Sequence, residues 1–417
     1  MIFRSTYNKP ILLIGNGVRT AGAVDMVHEF AKKTNIPVLT TMNGVDLAQD
    51  DLHIGFIGTH GNRIANMILN QCDLIVSVGA RLGIRQVGRD PKNFAPKADL
   101  VRCDIDEYEL SRNIKDNEKK YHTDARDFMR ILLSEDVRDF SAWKEQCLEA
   151  KKLLEKYDVQ PGNFAIKKIS DLLPKNPIIT VDVGMNQCWA AQSFKLKGYM
   201  GRILIGGGFG AMGCGLPYAI GASISTNNGI VYCICGDGGF QMNIQELETV
   251  KRENLPIKIF ILNNRVLGKI SETQHFNHGD RFANTAASGG YTVPDFTKIA
   301  EAYGIKAVKL NSYEDLENYK EWFYDKEPCL FDISLPEETF LITGIFVKRK
   351  LAAIAMITSP RITLLSLAGG IIIAKNIPYS ATESALTTPP GSTLPSTTPR
   401  QVPIVHAGIA IDIAPYM

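Results

Sequence analysis

Gly236-Asp-Gly-Gly-Phe-Gln-Met-Asn-Ile-Gln-Glu-Leu-Glu248, with Leu262-Asn-Asn264 further on, is the stretch that decides the fold. An apolar run at 230–235 leads into the glycine turn as a strand, 243–253 has helical spacing, and 257–262 is a second strand ending on two asparagines. Asp237 and Asn264 stand 27 residues apart. A strand–helix–strand unit of roughly 30 residues sets the carboxyl ends of two parallel strands side by side. In open α/β sheets ligands bind outside those ends. Asp237 offers a hard carboxylate oxygen and Asn264 an amide oxygen, and the Val266 carbonyl is the best candidate for a third donor. That set suits Mg²⁺, which takes octahedral oxygen ligands and shares its shell with phosphates. Gly236, Gly238 and Gly239 let backbone approach a diphosphate closely, and the helix that follows favours an anion at its N-terminus. Taken alone, Gly-Asp-Gly reads equally well as a strand-ending turn. Its spacing from Asn264 is what favours a metal–diphosphate site.

Outward from this unit, strands are expected at 178–182 and 329–333 on the same side, and at 10–15, 37–41, 74–79 and 99–104 in an earlier segment. Strands alternating with amphipathic helices imply parallel sheets. The chain of 417 residues then divides into 1–137, a charged helical connector at 138–160, a second α/β domain at 161–342, and a tail at 343–417. The tail holds only two acids, Glu383 and Asp412, and a Ser/Thr/Pro tract, and it reads as a foreign or out-of-frame ending without a core of its own. Its apolar run at 351–374 is broken by Pro360 and Arg361, so no membrane span is expected. Lys+Arg 46 against Asp+Glu 44 excludes a strongly basic nucleic-acid surface. Eight cysteines without a Cys-x-x-Cys pair, and an N-terminus without a signal-peptide pattern, read as reduced thiols in a cytoplasmic protein.

The quoted stretch resembles the thiamine diphosphate motif of the acetolactate synthase (acetohydroxyacid synthase) large-subunit family. Two further stretches agree: Asp182-Val-Gly-Met-Asn-Gln-Cys-Trp-Ala-Ala-Gln192 and Gly206-Gly-Gly-Phe-Gly-Ala-Met-Gly213. The resemblance implies that Gly184, Asn186, Leu267 and Gly268 lie near the diphosphate. It also implies that Gly210 contacts the aminopyrimidine through its backbone and that Met212 is the apolar wedge that bends the cofactor. The first segment resembles the family's middle domain, which binds FAD in many members, through Gly15-Asn-Gly17, Thr40-Thr-Met42, Gly58-Thr-His-Gly61, Gly79-Ala-Arg-Leu-Gly-Ile-Arg85 and Asp104-Ile-Asp106. On that likeness Gly15, Gly17, Thr41, Met42, Gly79, Arg81, Arg85 and Asp104 are FAD contacts, the arginines through charge-assisted bonds. The alternative is the same fold kept without a flavin. A Rossmann fingerprint does not account for the segment, because Thr20 stands where glycine or alanine is required.

The implied architecture is α/β: a middle FAD-type domain, a C-terminal thiamine diphosphate-binding domain, and an irregular tail. The implied reaction is Mg²⁺-dependent decarboxylation of a 2-keto acid such as pyruvate, then transfer of the two-carbon unit to a second carbonyl. The family's proton-relaying glutamate sits on an N-terminal pyrimidine-binding domain to which no segment here corresponds, so no catalytic residue is assigned. A partner chain bearing that domain, or a homo-oligomer, is expected. Two rivals stand beside this reading: a non-catalytic cofactor-binding fragment or subunit, and a carboligase acting on a keto-sugar acceptor. The second rival rests on departures after Asn264, where Thr273 replaces an expected tryptophan and Lys269 an apolar residue. His275 and His278, at i,i+3 spacing, read as part of a solvated loop rather than as metal ligands.

Overall fold

The computed structural model describes residues 2–3, 6–48, 52–155, 160–198 and 200–337, together with the backbone of 363–367 and 370–374. Two parallel sheets of six strands each carry the fold. The first contains β1 (Pro10–Ile14), β2 (Val38–Thr40), β3 (His53–Phe56), β4 (Leu74–Val78), β5 (Asp99–Asp104) and β6 (Lys119–His122), in the order β3-β2-β1-β4-β5-β6. The second contains β7 (Ile178–Val181), β8 (Arg202–Ile205), β9 (Val231–Gly236), β10 (Ile257–Asn263), β11 (Lys306–Leu310) and β12 (Cys329–Ser334), in the order β11-β12-β10-β9-β7-β8. The first order is that of a doubly wound dinucleotide-binding sheet, with its switch point between β1 and β4. The topology is therefore present although the glycine fingerprint is not.

Helices cover both faces of each sheet, so the inner strands are apolar on both sides. In β1, Ile11 and Leu13 enter one core while Leu12 and Ile14 enter the opposite one. In β9, Cys233 and Cys235 share a face with Val231, and Tyr232 and Ile234 point to the other. The two thiols lie 3.5 Å apart and remain free, as do all eight cysteines. Lys258, in the middle of β10, is fully buried, and its ammonium is paired with Asp325 at 2.5 Å. The helix Ser141–Glu155 buries Trp143, Cys147, Ala150 and Leu154 in the core of the first unit.

The structure differs from expectation in several places. The segment 243–253 is not one helix but a single 3₁₀ turn, Ile244–Glu246, followed by Leu247–Arg252, and an extra short helix, Asp237–Gln241, starts directly on the aspartate. The stretch holding His275 and His278 is no loop: it is the helix Gly268–His278, with both histidines in its last turn and His275 bonded to Asp280. Within the tail, Thr363–Leu367 and Gly370–Ala374 pair antiparallel. The Ser/Thr/Pro tract lies outside the described residues. Among the described residues no helix is long and apolar enough to cross a membrane.

The units touch through buried polar contacts. Asp46 takes the Ile203 amide at 3.0 Å and pairs with Arg19 at 2.8 Å and Arg202 at 3.5 Å. Asn62 donates to the Gln192 carbonyl at 3.1 Å.

Two predictions follow from packing and burial. A methyl on Gly162 would overlap the ring of buried Trp189. Gly162→Ala is therefore expected to cost about 1–3 kcal/mol, read as a lowered calorimetric Tm, and an unchanged Tm would contradict the packing. Burial first, and Lys151 second, lower the His53 pKa to about 3. The unfolded chain takes up that proton near the ordinary pKa of about 6.5. The contribution of His53 to stability is thus full above that pH and is lost as pH falls toward 3. Urea midpoints at about pH 7.5 and pH 5 should diverge less in His53→Gln than in the wild type.

Candidate active site: a glycine-walled pocket and the switch-point cleft

The β9–β10 register places Gly236 opposite Leu262, so Asp237 and Asn264 emerge together at neighbouring strand tips. Asp237 is only 2% exposed. Its Oδ1 accepts from the Gly238 amide at 2.6 Å and from the Tyr291 hydroxyl at 3.2 Å. Its Oδ2 is buried with no partner among the described residues. Burial raises its pKa to about 6, against the pull of the nearby amides of Gly238, Arg265 and Val266 and the Tyr291 hydroxyl. A buried carboxylate oxygen left without a donor is costly, a cost that a proton or a bound cation relieves. The two asparagines divide their roles. Asn263 is held by Asp332 at 2.8 Å and caps the Arg265 amide at 3.2 Å, whereas Asn264 lines the pocket. Arg265 turns the chain with φ of 55°, in the left-handed region, bringing Val266 and Leu267 back over the glycines.

One cavity of about 60 Å³ gathers these groups. Asp237, Asn264 and Val266 line it with Gly236, Gly238 and Gly239, and so do Gly184, Asn186, Met212, Leu267 and Gly268. Gly210, on the partly exposed 206–213 segment, does not line it; next to it Phe209 is fully exposed. Gly184 has φ of 147°, where an L side chain is strained, and the Asn186 amide bonds the Asp182 carbonyl at 2.7 Å beneath it.

Asp182 organises the floor. It accepts from the amides of Val183 at 2.7 Å, Gly213 at 2.9 Å and Cys214 at 3.1 Å, tying the tip of β7 to the 206–213 segment. Burial nonetheless raises its pKa. Gly239 packs so closely on this carboxylate that a methyl there would overlap it. Sequence reading quoted Asp182 without giving it a role, and it missed Tyr291, whose distance of 54 residues from Asp237 leaves no local signal.

A second cleft, of about 780 Å³, opens at the β1/β4 switch point. Gly17, Thr41, Met42, Gly79, Arg81, Arg85 and Asp104 all line it. Gly15 does not; it packs against the backbone of Gly79 and Ala80. Arg81 is tied to Asp106 at 3.1 Å and Glu109 at 3.2 Å. Gln187, Gly207 and Gly208 of the second unit complete the wall. Lys269, from the Asp237 pocket, reaches Glu272 at 2.8 Å and His60 of the cleft at 3.3 Å. Burial, then Lys269 and Arg85, lower the His60 pKa to about 4, so the ring is neutral near pH 7. Among the described residues no group of three or more His, Cys, Asp or Glu side chains is placed to hold a metal. The Asp237 site, with one carboxylate beside an amide, is of the kind that Mg²⁺ shares with phosphate.

Residues 182–333 match the family described as thiamine pyrophosphate enzyme, C-terminal TPP binding domain, and residues 5–132 its central domain. The chain is similar to the "Probable acetolactate synthase large subunit" of Methanocaldococcus jannaschii, 36% identical over 345 residues, covering 78% of this chain and 57% of that protein. It is also similar to the "Acetolactate synthase isozyme 2 large subunit" of Escherichia coli K12, 33% identical over 341 residues (79% and 60%). With the "Acetolactate synthase 1, chloroplastic" of Nicotiana tabacum it is 32% identical over 357 residues (81% and 53%). The chain thus spans 53–60% of the length of these relatives.

Asp182→Ala removes the oxygen on which three backbone N–H groups converge. The expected loss is about 1–3 kcal/mol, with faster hydrogen exchange at Gly213 and Cys214. Unchanged exchange at those amides would contradict the assigned role.

Proposed function

The chain belongs to the thiamine pyrophosphate enzymes, whose central and C-terminal domains it carries, and from that premise we propose that it is a Mg²⁺-dependent 2-keto acid decarboxylase and carboligase of the acetolactate synthase type. The observation that carries this is the unpartnered Oδ2 of buried Asp237 beside Asn264, at the end of a pocket walled by glycines. Thiamine diphosphate, when bound, supplies an electron sink for the carbon–carbon bond that breaks. The residues of this chain do the rest. Asp237, Asn264 and the Val266 carbonyl would hold the ion that neutralises the diphosphate. Gly184, Asn186, Gly236, Gly238, Gly239, Leu267 and Gly268 would form the cradle. Met212, whose side chain lies beside Gly238, would support the ring system, and Gly210 would meet the pyrimidine through its backbone.

The proton relay belongs, by resemblance, to a carboxylate on a pyrimidine-binding domain, so the reading includes such a domain facing this pocket. FAD is the proposed occupant of the switch-point cleft, where Arg85 and the turn at Gly17 face the space a nucleotide needs. Eight free cysteines fit a reducing cytoplasmic setting. Lys269 and its bond to His60 keep open an acceptor more polar than a simple 2-keto acid. Domain bounds of 1–137, 138–160, 161–342 and 343–417 are proposed with this reading.

Calorimetry with thiamine diphosphate and Mg²⁺ tests the assignment. Wild type should bind in a Mg²⁺-dependent way, and Asp237→Ala should weaken binding at least about a hundredfold, as expected when a first ligand of the ion is removed. Identical titrations would overturn it.

A further inference from the structure

Between the two units lies another cavity, of about 390 Å³, which shares no lining residue with the Asp237 pocket or the switch-point cleft. One wall comes from β3, the start of the helix Arg63–Gln71, and the end of Ser141–Glu155. The other comes from the helix Pro161–Leu172 and the segment 191–196. Among the described residues three lysines line it, Lys151, Lys167 and Lys195, against one acid, Glu155. The neutral polar groups of the wall are already bonded. Asn62 donates to the Gln192 carbonyl, and Asn163 bonds the Gln192 side chain at 3.0 Å and the Ser193 hydroxyl at 2.8 Å.

Lys151 is the exception. Its ammonium donates to the His53 carbonyl at 2.7 Å and makes no other hydrogen bond or ion pair among the described residues. It is partly buried, which lowers its pKa; Glu155 opposes the shift and Lys195 adds to it by repulsion. The nearby His53 ring is held at Nε2 by the Thr40 hydroxyl at 3.2 Å. Two ammonium groups that repel across one cavity, with spare N–H donors, are matched by a doubly charged anion. Charge-assisted bonds to phosphate oxygens are strong where water is limited. Clefts lined by one sign of charge concentrate ligands of the other sign, and small-molecule sites favour the seams between domains.

We propose that this cavity binds a small phosphate-bearing anion, gripped by Lys151 and Lys195, which links the two units at a place separate from the reaction. This inference does not depend on the cofactor assignment. The test is calorimetric titration of the full chain with inorganic phosphate and with glycerol 3-phosphate, in chelator so that the Asp237 site cannot recruit a metal-bound phosphate. Wild type and Arg85→Met, which removes a cation from the switch-point cleft, should bind saturably with one site. Lys151→Met and Lys195→Met should each weaken binding at least about tenfold, the loss of one charged hydrogen bond, and Lys151→Arg should restore part of it. Should Lys151→Met fail to fold, exposed Lys195 carries the comparison. No saturable binding by wild type, wild-type affinity in either lysine-to-methionine variant, or loss in Arg85→Met instead would overturn the proposal. A preference for inorganic phosphate over the ester, or the reverse, identifies the form taken while supporting the site.

Discussion

A buried carboxylate oxygen at the tip of β9, with no hydrogen-bond partner among the described residues, is the constraint around which the second unit is arranged. Burying an unpaired charge is unfavourable, and here it shows as a raised Asp237 pKa. Folding to this state requires that the surroundings hold the group in place. The β9–β10 register fixes the two strand tips, and Asn263 is locked onto Asp332 so that Asn264 is left for the pocket. Arg265 takes a left-handed conformation, and the Asp182 carboxylate draws three backbone amides together underneath. The arrangement holds a buried carboxylate and an amide side chain together at a glycine-walled pocket.

How much of this is visible in the sequence depends on what a residue touches. The eight strands legible as apolar runs are the interior strands of the two sheets, covered on both faces. The four that escape, β3, β6, β8 and β11, are the outermost strands. Lys119-Lys-Tyr-His122 shows why: an edge strand needs one set of partners, tolerates exposure, and is protected by charge. The pairing of Asp237 with Asn264 was legible because a strand–helix–strand unit converts sequence spacing into adjacency. Tyr291 and the Asp46 contacts were not, because they join segments with no fixed spacing. Gly15 and Gly210 take positions that motif reading alone does not give. Both sit in motifs that reach a cavity, yet one supports the backbone behind the wall and the other stays on a partly exposed segment.

The two units are coupled where their clefts meet. Gln187, Gly207 and Gly208 border the switch-point cleft from the second unit, and Lys269 spans from the Asp237 pocket to His60. The first sheet has the doubly wound strand order without its usual glycine fingerprint, so the strand ends, rather than a glycine-rich phosphate loop, create its binding space. Asp104 is placed there by the end of β5, much as Asp237 is by the end of β9, and Arg85 by the short helix Ile84–Val87.

Crystals grown with thiamine diphosphate and Mn²⁺ in place of Mg²⁺ would test the central claim most directly, through the anomalous signal of the metal. The account predicts one peak within about 2.1–2.2 Å of both Asp237 Oδ2 and the Asn264 amide oxygen, the distance expected for a small octahedral divalent ion. A peak bound elsewhere, with those two oxygens pointing away from each other, would contradict it.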